Sequence, residues 1–286
     1  MHDLKFVKAV EVARLLRRRQ VFTGSLPCQR AHDIFRSNTE LAKALLVVPG
    51  NSFMLGSVWQ NSIDHALAEV CGEDHPKEVT ETVANQIGTK AEGYFVRSMR
   101  HPENNFNDAC IKMTVNLERM VRETVIHDAL ELTLKSVVIQ VWTAFEILTE
   151  QLLLLSLDGH KECFSKEVHD KTQKFRFRRL DAILGAYKTA FSGDSKIDAL
   201  LDDPTVKACA LLRHLLVHCG GAVDKKFLTQ CQEPPIVRSF WKWKDSQKIE
   251  IDGEMVCSLV DPVLHYGFTL IELVYSWIQT HTPTSP

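Results

Sequence analysis

Apolar residues recur at three- and four-residue steps along most of this chain, and strict alternation is confined to one short stretch. The pattern predicts an all-α protein. Residues 3–20 form a short amphipathic segment that ends in Arg17-Arg18-Arg19, read as a solvated helix end, and Thr23-Gly24-Ser25-Leu26-Pro27 reads as a loop. A helix is expected over about 29–48, stopping at Pro49-Gly50-Asn51, with two more over about 55–71 and 76–100. His101 to Asn107 contains Pro and polar residues without periodicity, so a domain boundary is expected there. The longest helical pattern covers 108–157, with a break expected near His127, and Leu157-Asp158-Gly159 ends it. Helix returns from Leu180 to Phe191. Asp203-Pro204 opens a helix with Asp as cap and Pro in the first turn. Gly220 or Gly221 closes it in the left-handed conformation. Lys248 to Cys257 alternates around Asp252-Gly253, which predicts a β-hairpin, and Asp261-Pro262 then opens a final helix to about Ile278. The buried side of that helix is expected to carry Val263, Leu264, Phe268, Ile271, Tyr275 and Ile278. The expected organisation is an N-terminal helical region over 1–107, a helical domain over 108–280 and a disordered tail over 281–286.

Composition narrows the function classes. The 286 residues are ample for a buried core, and a formal net charge of -2 gives no global attraction to a polyanion, so any such site must be a local patch. Eight cysteines are scattered without a CxxC pair, which points to a reducing compartment. The N-terminus lacks a secretory pattern, and the apolar run around Leu152–Leu155 is too short to span a bilayer. A cytoplasmic protein without a membrane association is expected.

Candidate chemistry is concentrated in Ala210-Leu211-Leu212-Arg213-His214-Leu215-Leu216-Val217-His218-Cys219-Gly220-Gly221-Ala222-Val223-Asp224. Arg213 and His218 are five positions apart, more than one turn, which places them on neighbouring parts of the helix surface. A guanidinium can hold a phosphate through its planar fork, and an imidazole titrates near neutral pH. Zinc is not called for. Cys209 and Cys219 are ten positions apart on one helix, and His214 and His218, one turn apart, lack an evident second pair of ligands. No Gly-rich phosphate loop or serine elbow is present, and no cofactor is expected. The basic residues Lys171, Lys174, Arg176, Arg178 and Arg179, interleaved with Phe175 and Phe177, are candidates for an RNA backbone contact with base stacking. Arg238 to Lys244 has the same basic-aromatic mix and is read as a segment covering the core.

The order of Trp142-Thr143-Ala144-Phe145-Glu146, Arg178-Arg179-Leu180-Asp181, and then the Arg213 to Asp224 motif resembles the HEPN superfamily over residues 108–280. That superfamily comprises small all-helical domains, many of them RNases with an Arg-x4–6-His motif. The resemblance implies a HEPN-like helical bundle and a metal-independent endoribonuclease in which the ribose 2′-OH attacks the phosphate. His218 would be the base or acid, Arg213 would hold the phosphate, and His214 would assist. It implies a homodimer with both Arg-His helices at one composite cleft, and a polar or acidic residue on an earlier helix, for which Glu146 is the candidate. It further suggests a toxin or phage-defence role with an antitoxin or regulatory partner. The rival expectation is a non-catalytic module for dimerisation, nucleotide binding or partner-protein binding, because fold alone does not give function.

Overall fold

The computed structural model describes residues 24, 26–72, 80–100, 124–172, 179–230 and 244–282. Among these, regular structure is helical: α1 (Leu26–Cys71), α2 (Glu81–Arg100), α3 (Thr124–Gly159), α4 (Lys166–Thr172), α5 (Leu180–Ala190), α6 (Ser195–Leu201), α7 (Pro204–His218), α8 (Lys225–Gln230) and α9 (Gly253–His281), with a 3₁₀ turn at Lys161–Cys163. The all-α expectation holds. The expected segment 3–20, the boundary at 101–107 and the tail from Pro283 lie outside the described residues, and so does most of Arg238 to Lys244.

The chain forms two compact units, one essentially Val47–Ala129 and the other Leu4–Leu46 with Leu130–Pro286. In the first, Ala66, Ile87 and Ala91 are buried, with Ile63, Leu67, Val70, Val83 and Tyr94 packed around them. Glu69 on α1 accepts hydrogen bonds from Lys90 and from the Tyr94 hydroxyl on α2. These contacts hold the lowered pKa of Glu69 and raise that of Tyr94.

In the second unit, α3 is the central helix. Leu134, Val137, Val138, Val141, Phe145, Leu148, Leu152 and Leu153 are all buried, a wider face than a surface helix buries. Cys28, Ala31, Phe35 and Ala42 give α1 a buried stripe at three-, four- and seven-residue steps. Long α9 buries Met255, Val256, Leu259, Val260, Val263, Leu264, Leu270, Ile271, Val274 and Ile278, and it packs on α6 and α7. Of its six expected core residues, Phe268 and Tyr275 are only partly buried. Asp128–Gly159 and Gly253–His281 are long and apolar enough to cross a membrane by length and composition alone, a test that the core helix of a soluble protein also passes. The same apolarity serves here to bury α3 and α9 in the helical core.

Several breaks read from the sequence are absent, and α3 runs unbroken through His127, where a break was expected. The backbone of α1 stays helical through Pro49-Gly50-Asn51, and its start at Leu26 puts Pro27, read as loop, in the first turn. The 248–257 hairpin does not form: Asp252 instead caps α9, its carboxylate accepting from the Met255 amide at 2.9 Å. Pro262 lies inside α9, rather than at its start, so one main-chain hydrogen bond is forgone there. Burial outweighs these local signals. Met255, Val256, Leu259 and Val260 fill the core only if the segment is helical. Asp252→Ala should therefore lower stability by about 1 kcal/mol, the usual cost of a lost N-cap; urea unfolding monitored by circular dichroism measures it.

Candidate functional site

Asp203 starts α7 as the sequence indicates. One carboxylate oxygen accepts from the Thr205 amide at 2.7 Å, and the other accepts from the Tyr266 hydroxyl on α9 at 3.1 Å. Thr205, Val206, Ala208, Cys209, Leu212 and Leu215 form the buried face. The helix closes at Cys219, and the Gly221 amide reaches back to the Leu215 carbonyl at 3.1 Å. Both glycines are left-handed, Gly220 at φ +60° and Gly221 at φ +79°, which is why glycine is needed there. A Cβ on Gly220 would meet open space, so conformation rather than close approach fixes this residue.

Beyond the glycines the chain pairs with residues 246–249. Val223 donates to the Gln247 carbonyl, Ile249 donates to the Gly221 carbonyl, and Ala222 bridges antiparallel to Lys248. Lys248 therefore pairs with the motif's own tail, not within a local hairpin. Asp224 accepts from the Phe227 amide at 2.6 Å and so starts α8.

Arg213 and His218 do not share a face. Five residues rotate the helix by about 140° net, so the expected neighbouring placement is corrected. Arg213 turns toward α3, where its guanidinium lies 3.6 Å from Glu146, with side-chain exposures of 21% and 12%. His214 and His218 lie on the exposed face, one turn apart, with ring centroids separated by 4.8 Å. Val217, between them, is also exposed. The candidate site thus has two layers: a half-buried Arg-Glu pair, and an open pair of imidazoles at the end of the same helix.

The inner layer is incompletely satisfied. Glu146 Oε1 and Arg213 Nε are buried without a hydrogen-bond partner among the described residues. Burial raises the Glu146 pKa, against the opposing pull of Trp142 and Arg213. Burial and the Glu146 charge push the nearby Cys209 thiol up to about 12, so that sulfur stays protonated and inert. In the outer layer, burial and the positive charges of His218, Lys226 and Arg213 lower the His214 pKa, partly offset by Asp224.

A pH dependence follows. Folded Glu146 binds its proton more tightly than the unfolded chain does. Its contribution to stability is therefore full below the ordinary glutamate pKa and is lost as pH rises through the raised folded value. Glu146→Gln should remove this part of the slope; urea midpoints of both proteins across the acid-to-neutral range would show parallel curves if Glu146 contributed nothing.

Of the expected basic surface, Lys174, Arg176 and Arg178 lie outside the described residues. Lys171 is in the last turn of α4. Arg179 is exposed and forms a two-pronged contact to Asp181, at 3.1 and 2.8 Å. Exposed pairs of this kind are worth little to stability. No family model, curated relative or solved structure matches the chain.

Proposed function

We propose that the chain is a metal-independent endoribonuclease of HEPN type that acts as a homodimer. The observation carrying this reading is the pair of solvent-exposed imidazoles, His214 and His218, at the open end of the helix that also holds Arg213. One ring accepts the 2′-OH proton and the other supplies a proton to the leaving 5′-oxygen, the two proton transfers that cleavage requires. The phosphorane needs a cation, and Arg213 supplies it by exchanging part of its contact with Glu146 for the phosphate. Exposed Val217 gives this face an apolar point of contact for a second copy. A toxin or defence role, cytoplasmic placement and an antitoxin-like regulator belong to the same proposal.

One observation favours the second reading, a non-catalytic helical module that binds a partner or nucleotide. Arg213 is already engaged by a carboxylate and mostly withdrawn from solvent. One assay separates the two. Purified protein is incubated with RNA in EDTA, and the ends of any fragments are identified. The nuclease reading expects 2′,3′-cyclic phosphate and 5′-hydroxyl ends, together with a solution mass of twice 32.5 kDa. Intact RNA supports the binding module instead.

A further inference from the structure

His214-Leu215-Leu216-Val217-His218 places two imidazoles one helical turn apart on a solvent-facing surface. The same spacing holds a zinc ion in metalloprotease helices, because the i,i+4 step aims both rings at one point. Here the ring centroids are 4.8 Å apart and tilted by 47°. Two metal–nitrogen bonds of about 2.0–2.1 Å require the nitrogens to lie about 3 Å apart, within reach of small side-chain rotations at that centroid distance. We propose that His214 and His218 chelate one imidazole-preferring divalent ion, copper, nickel or zinc, and that its binding shuts the RNA site.

The surroundings set the character of such a site. No group of three or more His, Cys, Asp or Glu side chains able to hold a metal occurs among the described residues, so the two imidazoles are the ligands this face offers among them. The three residues between the histidines are apolar, so the glutamate that makes such a zinc helix hydrolytic is lacking. The metal therefore occupies the rings without supplying a base. Lys226 and Arg213 oppose a bound cation and Asp224 favours it. Copper should bind most strongly, following the usual order for nitrogen ligands. Inhibition rests on the nuclease reading, since a lone pair given to a metal cannot take the 2′-OH proton; metal binding itself does not.

The test uses the full chain, stripped with EDTA and desalted, and titrated with copper(II) or zinc(II). Copper should give an electron paramagnetic resonance spectrum with two coupled imidazole nitrogens at one equivalent. His214→Ala and His218→Ala should each weaken that site about 10²-fold, because two ligands on one helix act as a chelate. The chain has 12 histidines, so binding of equal strength in the wild type and both variants would assign the metal elsewhere and overturn the proposal. In the cleavage assay one equivalent of zinc should abolish RNA cutting and EDTA should restore it. Unchanged cutting with the ion bound at these rings would overturn the inhibitory role. A chain that binds copper through both rings, yet cuts no RNA in EDTA, overturns the nuclease reading and supports the metal site.

Discussion

His218→Ala should lower RNA cleavage by about 10²–10⁴-fold, the range for losing one general acid or base, while leaving the melting temperature unchanged. His218 is exposed at the end of α7, with its ring beside that of His214, so its removal empties no core volume. Arg213→Ala should behave differently. It removes the cation proposed to hold the phosphate and also strands Glu146. Breaking a fully buried pair costs about 3–5 kcal/mol, and the partial exposure of this one reduces the expected loss to about 1–3 kcal/mol. The raised pKa of Glu146 limits the loss further, since the carboxyl can take up a proton when its partner goes. The informative variant is the double, Arg213→Ala with Glu146→Gln. It should regain most of the stability, because no unpaired charge remains, but none of the cleavage. Were cleavage to return with stability, Arg213 would be a structural residue alone, and the catalytic cation would have to be sought among Lys171 to Arg179. Thermal melting and single-turnover cleavage on the same preparations decide this.

The contrast between these two residues marks what could be read from the chain. Helix ends governed by backbone chemistry were legible: Asp203 as a cap, Gly159 at the end of α3, and Gly220-Gly221 at the close of α7. Pro49-Gly50, Asp252-Gly253 and Pro262 misled, because each is a local breaker overridden by a helical segment. Asp252-Gly253 is the clearest example. An Asp that favours a hairpin turn equally favours an N-cap, and only the three- and four-residue spacing of the buried residues after it chooses between them. The bridge between Ala222 and Lys248 joins positions far apart in sequence, which periodicity cannot reveal. At the site, the one-turn relation of His214 and His218 follows from spacing alone. The orientation of Arg213 does not. Counting positions along a helix gives the angle between residues, but the side facing α3 is set by tertiary packing. Glu146 illustrates the same limit: its place beside Arg213 was suggested only by the resemblance, and its incomplete hydrogen bonding required the folded structure.

Gly267→Ala should be the most damaging single-carbon change in the second unit. Gly267 lies in the middle of α9, where alanine would ordinarily favour the helix by about 1 kcal/mol. Packing reverses that sign. A Cβ at 267 would overlap the ring of Phe35 on α1 and lie 3.2 Å from Leu148 Cδ2 on α3. Phe35 has no room to retreat, being fully buried with its ring edge-on to Phe268 at 5.1 Å. Neither contacting group is the loose end of a flexible chain, so the three helices must separate or the ring must leave its rotamer. Overpacking of this kind costs about 1–3 kcal/mol and occasionally more. At about 2–4 °C per kcal/mol, the melting temperature of the second unit's transition should fall by about 2–12 °C. Phe35→Ala alone removes the ring and should cost about 3–5 kcal/mol. Phe35→Leu with Gly267→Ala should be less destabilised than the two single changes summed, because the smaller side chain vacates the space the new methyl needs. Strict additivity between them would show that α1 and α9 do not meet at these two residues.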